Sequence, residues 1–200
     1  WMATLPVMGY VVGGALATSL VARAQSRFGR RRSFQIGIAV ASGSALLCAQ
    51  AAIWQDFWLL CLATVVAGYY NANASLYRFA AAELAAPDWR EKAVSLVMAG
   101  GLIGAVAGPN LAAVTRTWFA VPFAGAYLAL AAVALMSLVM MQFIDFPATP
   151  AKTAGTGGRP LGEIVRQPVF IVAAVSGALG FGVMNLLMAA TPIAMQVCSL

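Results

Sequence analysis

Residues 1–55 decide the fold: WMATLPVMGYVVGGALATSLVA (1–22), RAQSRFGRRR (23–32) and SFQIGIAVASGSALLCAQAAIWQ (33–55). The outer two stretches carry no charge, while the ten residues between them carry five arginines. A bilayer core about 30 Å thick needs about 20 helical residues to cross it. The uncharged stretches are 22 and 23 residues long, so each is long enough. Backbone amides in lipid must pair within their own segment, which selects helix over open strand. The pattern is therefore two spans joined by a short arginine-rich turn.

Four more uncharged runs follow, at 57–77, 93–115, 117–144 and 167–200, with lengths of 21, 23, 28 and 34 residues. Hydrophobic residues make up 62% of the 200, and charged residues only 9%. A soluble domain carries roughly a quarter charged residues, because water must wet its surface. This chain must instead present apolar surface to an apolar medium. The short alternating strands of a membrane β-barrel are absent. The expected fold is all-α, a polytopic transmembrane helical bundle with six spans.

The basic residues give the spans a direction. Eleven of the twelve lie in the first, third and fifth connectors: Arg23, Arg27, Arg30, Arg31 and Arg32, then Arg78, Arg90 and Lys92, then Lys152, Arg159 and Arg166. The second and fourth connectors hold only Arg116. Such a bias marks the cytoplasmic side, so Trp1 is expected outside, with the protein in the cytoplasmic (inner) membrane. Trp54, Trp58 and Trp118 flank the outer turns, at the depth interfacial tryptophan prefers. The net charge of +6 follows from this topology and from attraction to membrane lipid, and is not a nucleic-acid footprint.

Other chemistry is limited by what the chain holds. There is no histidine, which excludes imidazole-based catalysis or metal binding from this stretch. Cys48, Cys61 and Cys198 lie in apolar runs and read as packing thiols. No cofactor is called for. No basic region precedes the first run, which is too long for a cleavable signal. The chain opens with Trp and stops inside an apolar run, so a fragment is expected.

Residues 146–160 differ in composition, with Pro147, Pro150, Gly155, Gly157, Gly158 and Pro160. Such residues resist regular structure and read as a flexible linker. The expected domains are a helical bundle at 1–145, a cytoplasmic linker at 146–166, and the first helix of a second bundle at 167–200.

Three motifs carry a family resemblance. The first connector reads Ala22-Arg-Ala-Gln-Ser-Arg-Phe-Gly-Arg-Arg-Arg32. It resembles the signature loop between helices two and three of the major facilitator superfamily. Arg27, Gly29, Arg30 and Arg31 match that pattern, while Ala22 and Ser26 replace its first Gly and its Asp. Gly29 permits the sharp turn, and Ser26 is suited to cap a short helix. The fourth run contains Gly100-Gly-Leu-Ile-Gly104-Ala-Val-Ala-Gly108-Pro109, similar to the helix-five antiporter motif. Gly104 and Gly108 share one helix face, where small residues let helices approach closely, and Pro109 is expected to kink the span. The third connector, Pro87-Asp-Trp-Arg90-Glu-Lys92-Ala, resembles the family's helix-four to helix-five loop. Glu83, Asp88 and Glu91 stand opposite the first loop's arginines. The resemblance implies a gate-loop role for Ser26, Arg27, Gly29, Arg30, Arg31, Glu83 and Arg90.

The three matches fall in the family's order, so the chain is identified as helices two to seven of such a transporter. That implies a solute cavity near the bilayer midplane, lined by family helices four and seven among others. The candidate lining residues are Tyr70, Asn71, Asn73 and Tyr77 on the third run, Asn110 on the fourth and Asn185 on the sixth. Tyr70, Asn73 and Tyr77 share a helix face by their spacing. Amides at this depth are costly unless paired or wetted, so they face either a cavity or a neighbouring helix. Thr64 stands where the family often has a helix-four Arg, and no acid lies inside an uncharged run.

The expectation is a secondary transporter that moves a small organic solute by alternating access and does no chemistry on it. The helix-five motif leans towards proton-coupled efflux, and the missing charges lean away. Nutrient or vitamin uptake, and a non-transporting membrane sensor, remain the alternatives. An intramembrane enzyme would need a cluster of ionisable groups at one depth, and the runs carry none. The expected partners are a small-molecule solute, membrane lipid and, for efflux, protons as coupling ion, with no nucleic acid.

Overall fold

A computed structural model describes residues 2–144, 146 and 161–197. The described residues are helical throughout, joined by turns, with no strand among them. The helices are α1 (Leu5–Trp54), α2 (Phe57–Ala74), α3 (Tyr77–Leu84), α4 (Arg90–Thr115), α5 (Ala124–Met141), α6 (Leu161–Val165) and α7 (Pro168–Val197). Single 3-10 turns lie at Met2–Thr4 and Pro87–Trp89.

Among the described residues, five helical segments are long and apolar enough to cross a membrane, and one of them is the 50-residue α1. That helix supplies two limbs. Gly29 has φ 79° and ψ 171°, a conformation essentially reserved for glycine, and it breaks the hydrogen-bonded run. The packing shows that the chain reverses there. Gly9 faces Cys61 and Thr64, and Gly14 faces Gly68 and Asn71, so the first limb runs parallel to α2. Gly37, in the second limb, touches Asn73. A straight helix would carry residue 37 roughly 35 Å beyond residue 14, yet both rest on the same end of α2. The six expected spans thus survive as five helices, one of them doubled back on itself.

The second connector is as tight as its charge pattern implies. Asp56 caps α2, its carboxylate accepting from the backbone N–H of Trp58 and Leu59 at 2.9 and 3.1 Å. The fourth connector is longer than the lone Arg116 suggests. It runs from Arg116 to Phe123, whose backbone N–H returns to the Arg116 carbonyl at 3.1 Å. Pro122 lacks an N–H and delays the start of α5.

Small residues occupy the interior. Ala17, Ala45, Ala49, Ala51, Ala63, Ala80, Ala124 and Ala131 are buried, whereas Leu16, Leu96 and Leu102 are 69%, 78% and 72% exposed. This inversion suits a lipid-facing bundle, in which helix contacts rely on close backbone approach rather than on exclusion of water. A Cβ on Gly13 would lie 2.1 Å from the Val65 carbonyl, and one on Gly125 would lie 2.2 Å from the Thr115 carbonyl. Larger apolar side chains pack at one end, where Phe34, Ile38, Ala80 and Met141 form a buried cluster with Tyr77 and Phe146 against it.

Hydroxyl and amide side chains within the spans bond back to their own helix. Thr18, Ser42, Asn110, Thr115, Ser137, Asn185 and Thr191 each donate to the carbonyl four residues earlier. In an apolar medium this satisfies groups that would otherwise be costly.

Contacts divide the chain into two compact units, Trp1–Thr149 and Pro150–Leu200. The first holds α1 to α5 and the second holds α6 and α7. The expected linker at 146–166 falls mostly outside the described residues, as do Asp145 and Cys198.

Candidate functional site

Four of the six expected cavity residues stand at the junction of α2 and α3, where the structure sorts them by role. Asn73 is wholly buried. Its amide Nδ2 donates to the Tyr69 carbonyl at 3.4 Å, its Oδ1 accepts from Ser33 Oγ at 3.4 Å, and Gly37 leaves room for it. Asn73 therefore occupies a helix–helix contact, not a cavity wall. The reason is steric: any side chain at residue 37 would put a Cβ 2.9 Å from the Asn73 amide.

Asn71 lies beside Gly14 at the first limb of α1, its Nδ2 3.0 Å from where a Cβ would sit. Tyr77 stacks edge-on against Phe34, with ring centroids 4.8 Å apart. Ser75 and Leu76 separate α2 from α3 without a Pro or Gly. The Ser75 hydroxyl donates to the Ala72 carbonyl at 2.8 Å.

Tyr70 lines a cavity of about 190 Å³, together with Tyr10 on α1, Ala67, and residues of α1 and α5 that include Ser44 and Ser137. Its walls are mostly aliphatic, with two phenols as the polar handles. Tyr10 was not among the expected residues. It stands in an uncharged run with no polar neighbour in sequence, and only the packing of α1 on α2 brings it to Tyr70. Ser33 and Gly37 were likewise legible only as apolar-run residues. Asn110 and Asn185 each donate an amide N–H to the carbonyl four residues earlier on their own helices, at 2.7 and 2.8 Å.

The arginine loop forms a second cluster. Arg30 Nη2 meets Glu83 Oε1 at 2.6 Å, tying the turn of α1 to the end of α3. The Arg31 guanidinium donates to the Gln142 carbonyl at 2.6 Å, and Gln35 bonds the Gln142 side chain at 3.0 Å. A cation at the carbonyl end of α5 also suits that helix's dipole. Ser26 donates to the Arg23 carbonyl at 2.9 Å, so its hydroxyl bonds back along its own helix rather than capping one. Arg27 lies over the Phe28 ring at 5.5 Å, and Arg90 is exposed at the start of α4. These contacts all lie within the first unit.

The glycines of the helix-five motif face open space among the described residues. A Cβ on Gly100, Gly101, Gly104 or Gly108 would meet nothing within 4 Å, and α4 continues through Pro109 to Thr115 as one helix.

The Major Facilitator Superfamily model matches residues 1–199. The chain belongs to the major facilitator superfamily. It is a multi-pass membrane protein of that superfamily. One relative, "Riboflavin transporter RfnT" of Brucella anthropi, is 36% identical over 200 residues, covering 97% of this chain and 50% of the relative. A second, "Uncharacterized MFS-type transporter YdeG" of Bacillus subtilis, is 31% identical over 157 residues, covering 77% of this chain and 36% of the relative. The chain thus spans half or less of the length of these superfamily members. Both relatives are named as transporters and neither as an enzyme. No solved structure matches.

Proposed function

We propose that the chain is part of a secondary transporter of the major facilitator superfamily that carries a small, planar aromatic solute of the riboflavin class by alternating access. The observation that carries this reading is the Tyr10–Tyr70 cavity, taken together with the 36% identity to a protein named as a riboflavin transporter. Phenol rings offer flat apolar faces and a hydroxyl each, which suits a ring system edged with hydrogen-bonding groups. In this reading Tyr10 and Tyr70 touch the solute, Asn71 and Tyr77 border it, and Asn73 holds α2 against α1. Asn110 and Asn185 enter the site only by exchanging their own-helix bonds for bonds to solute. Arg30, Arg31 and Glu83, with Ser26, Arg27, Gly29 and Arg90 around them, form the gate at the arginine-rich end.

The same reading assigns residues 1–145 to one helical bundle, 146–166 to a linker and 167–200 to the start of another. It also assigns the arginine-rich turns to the cytoplasmic side of the inner membrane, as the basic-residue bias supports. The relative's name gives a vitamin as its solute and no direction of transport; uptake is the direction in this reading. The runs carry no acid to bind a coupling proton, so the helix-five motif is the one feature that favours efflux.

The test is flux of labelled riboflavin into proteoliposomes holding the natural full-length protein, with and without a pH gradient. Saturable flux lost in Tyr70→Ala supports the proposal. Flux equal to that of empty liposomes overturns the solute class, and flux driven only by an opposing proton gradient replaces uptake with antiport.

A further inference from the structure

A layer of packed side chains separates the Tyr10–Tyr70 cavity from the arginine cluster, and three stretches of chain give the same order. Along the second limb of α1, Arg30 and Arg31 come first, then Phe34 and Ile38 in the buried cluster, then Ala41 and Ser44 on the cavity wall. Along α5, Val133 and Ser137 line the cavity and Leu138 and Met141 belong to the cluster. Gln142 follows, taking the hydrogen bonds of Arg31 and Gln35. From α2 into α3, Ala67 and Tyr70 line the cavity, Tyr77 and Ala80 pack in the cluster, and Glu83 meets Arg30. Cavity, cluster and polar ties therefore form successive layers of the first unit. Ile38, Tyr70 and Ala134 belong to both the wall and the cluster, so the cluster abuts the cavity directly.

Rings dominate this layer. Phe34 is wholly buried, and the Tyr77 and Phe146 ring centroids lie 4.8 and 5.7 Å from its own. Phe146 stands five residues past the end of α5, within the first unit. Close-packed apolar side chains leave no room for water, and an apolar constriction blocks passage by staying dry. We propose that Phe34, Tyr77, Met141 and Phe146 form an apolar seal that closes the cavity at the arginine-rich end. The polar contacts behind it hold it shut. Arg30 draws α3 onto α1, while Arg31 and Gln35 draw the end of α5 onto α1. The elements that supply the rings are thus tied together on the far side of the rings from the cavity.

The seal rests on the reading that this cavity holds the solute, but its test needs no solute. Ser44, 3% exposed on the cavity wall, is replaced by cysteine in a cysteine-free background of the natural full-length protein. A thiol reacts as its thiolate, a charged form that needs water. Its rate with a charged, membrane-impermeant methanethiosulfonate reagent therefore reports water in the cavity. Membrane vesicles of each orientation are used, with Arg32→Cys marking exposure of the arginine-rich side and Asp56→Cys the other. From the arginine-rich side, Phe146→Ala should speed labelling of Ser44→Cys about tenfold, a shift of about 1.4 kcal/mol in closure. Phe146→Leu, which keeps apolar bulk, should stay near the parent rate. From the opposite side Phe146→Ala should not raise the rate, whereas a generally loosened bundle would speed both. Met141→Ala, read in the same way, decides the question if Phe146→Ala loses its monodisperse profile. Fast labelling of the parent from the arginine-rich side, unchanged rates in both alanine variants, or equal acceleration from both sides would each overturn the seal. One-sided acceleration without riboflavin flux would uphold the seal and sink the solute reading alone.

Discussion

Replacing Gly68 with alanine tests the packing of this bundle where it is tightest. A Cβ built on Gly68 lies 2.3 Å from the Gly14 nitrogen, 2.4 Å from the Gly13 carbonyl carbon and 2.7 Å from the Gly13 Cα. All three are backbone atoms, so no side chain can swing aside. Restoring ordinary contact at 3.4 Å requires α2 and the first limb of α1 to part by about 1.1 Å. That separation also strips the close van der Waals contacts around Gly13, Ala17 and Val65. Overpacking of this kind costs typically about 1–3 kcal/mol, and here the obstacle is rigid, so the upper half of the range is expected. Gly43→Ala is the matched control. Gly43 sits within α1 with no atom within 4 Å of its Cβ position, and alanine gains up to about 1 kcal/mol of helix propensity over glycine. The assay is the melting midpoint of the full-length protein in detergent, read by chromatography of fluorescent fusions. Gly68→Ala should melt roughly 4–8 °C below the parent, and Gly43→Ala at or slightly above it. Equal midpoints for the two variants would refute the claim that glycine here serves backbone contact.

Gly29→Ala forces a side chain into φ 79°, ψ 171° and should cost about 1–3 kcal/mol, seen as lower yield of monodisperse protein. A double-mutant cycle on Arg30→Ala and Glu83→Ala should give a coupling below about 1 kcal/mol that shrinks with salt, because the pair is 25% and 55% exposed; a coupling unaffected by salt would contradict this. Asn73→Ala should lower thermal stability by about 1–3 kcal/mol with little change in KM for the solute, whereas Tyr70→Ala should raise KM. The reverse pattern would return Asn73 to the cavity wall.

Much of the fold was legible because lipid imposes so coarse a rule. A run of about 20 residues without charge has few alternatives to helix, and five arginines in ten residues mark the turn at Gly29. Details set by neighbours were less legible. Nothing in the sequence singles out Ser75–Leu76 as a helix break, since it lacks Pro and Gly. The delayed start of α5 was masked because 117–123 is as uncharged as the helix that follows. For the site, the spacing of Tyr70, Asn73 and Tyr77 identified a polar stripe but not its orientation. The space at Gly37 draws Asn73 into a helix contact, and Tyr10 completes the cavity from 60 residues away. Polar type and spacing select candidates, while the small residues opposite decide which candidates are consumed by packing.

The account depends on α1 doubling back at Gly29 so that its two limbs cross a bilayer in opposite senses. Single cysteines at Arg30 and Asp56, placed in a cysteine-free background of the full-length protein, test this in intact cells with a membrane-impermeant thiol reagent. Asp56→Cys should react from outside and Arg30→Cys only after the cells are opened. Labelling of both positions from the same side would contradict the account.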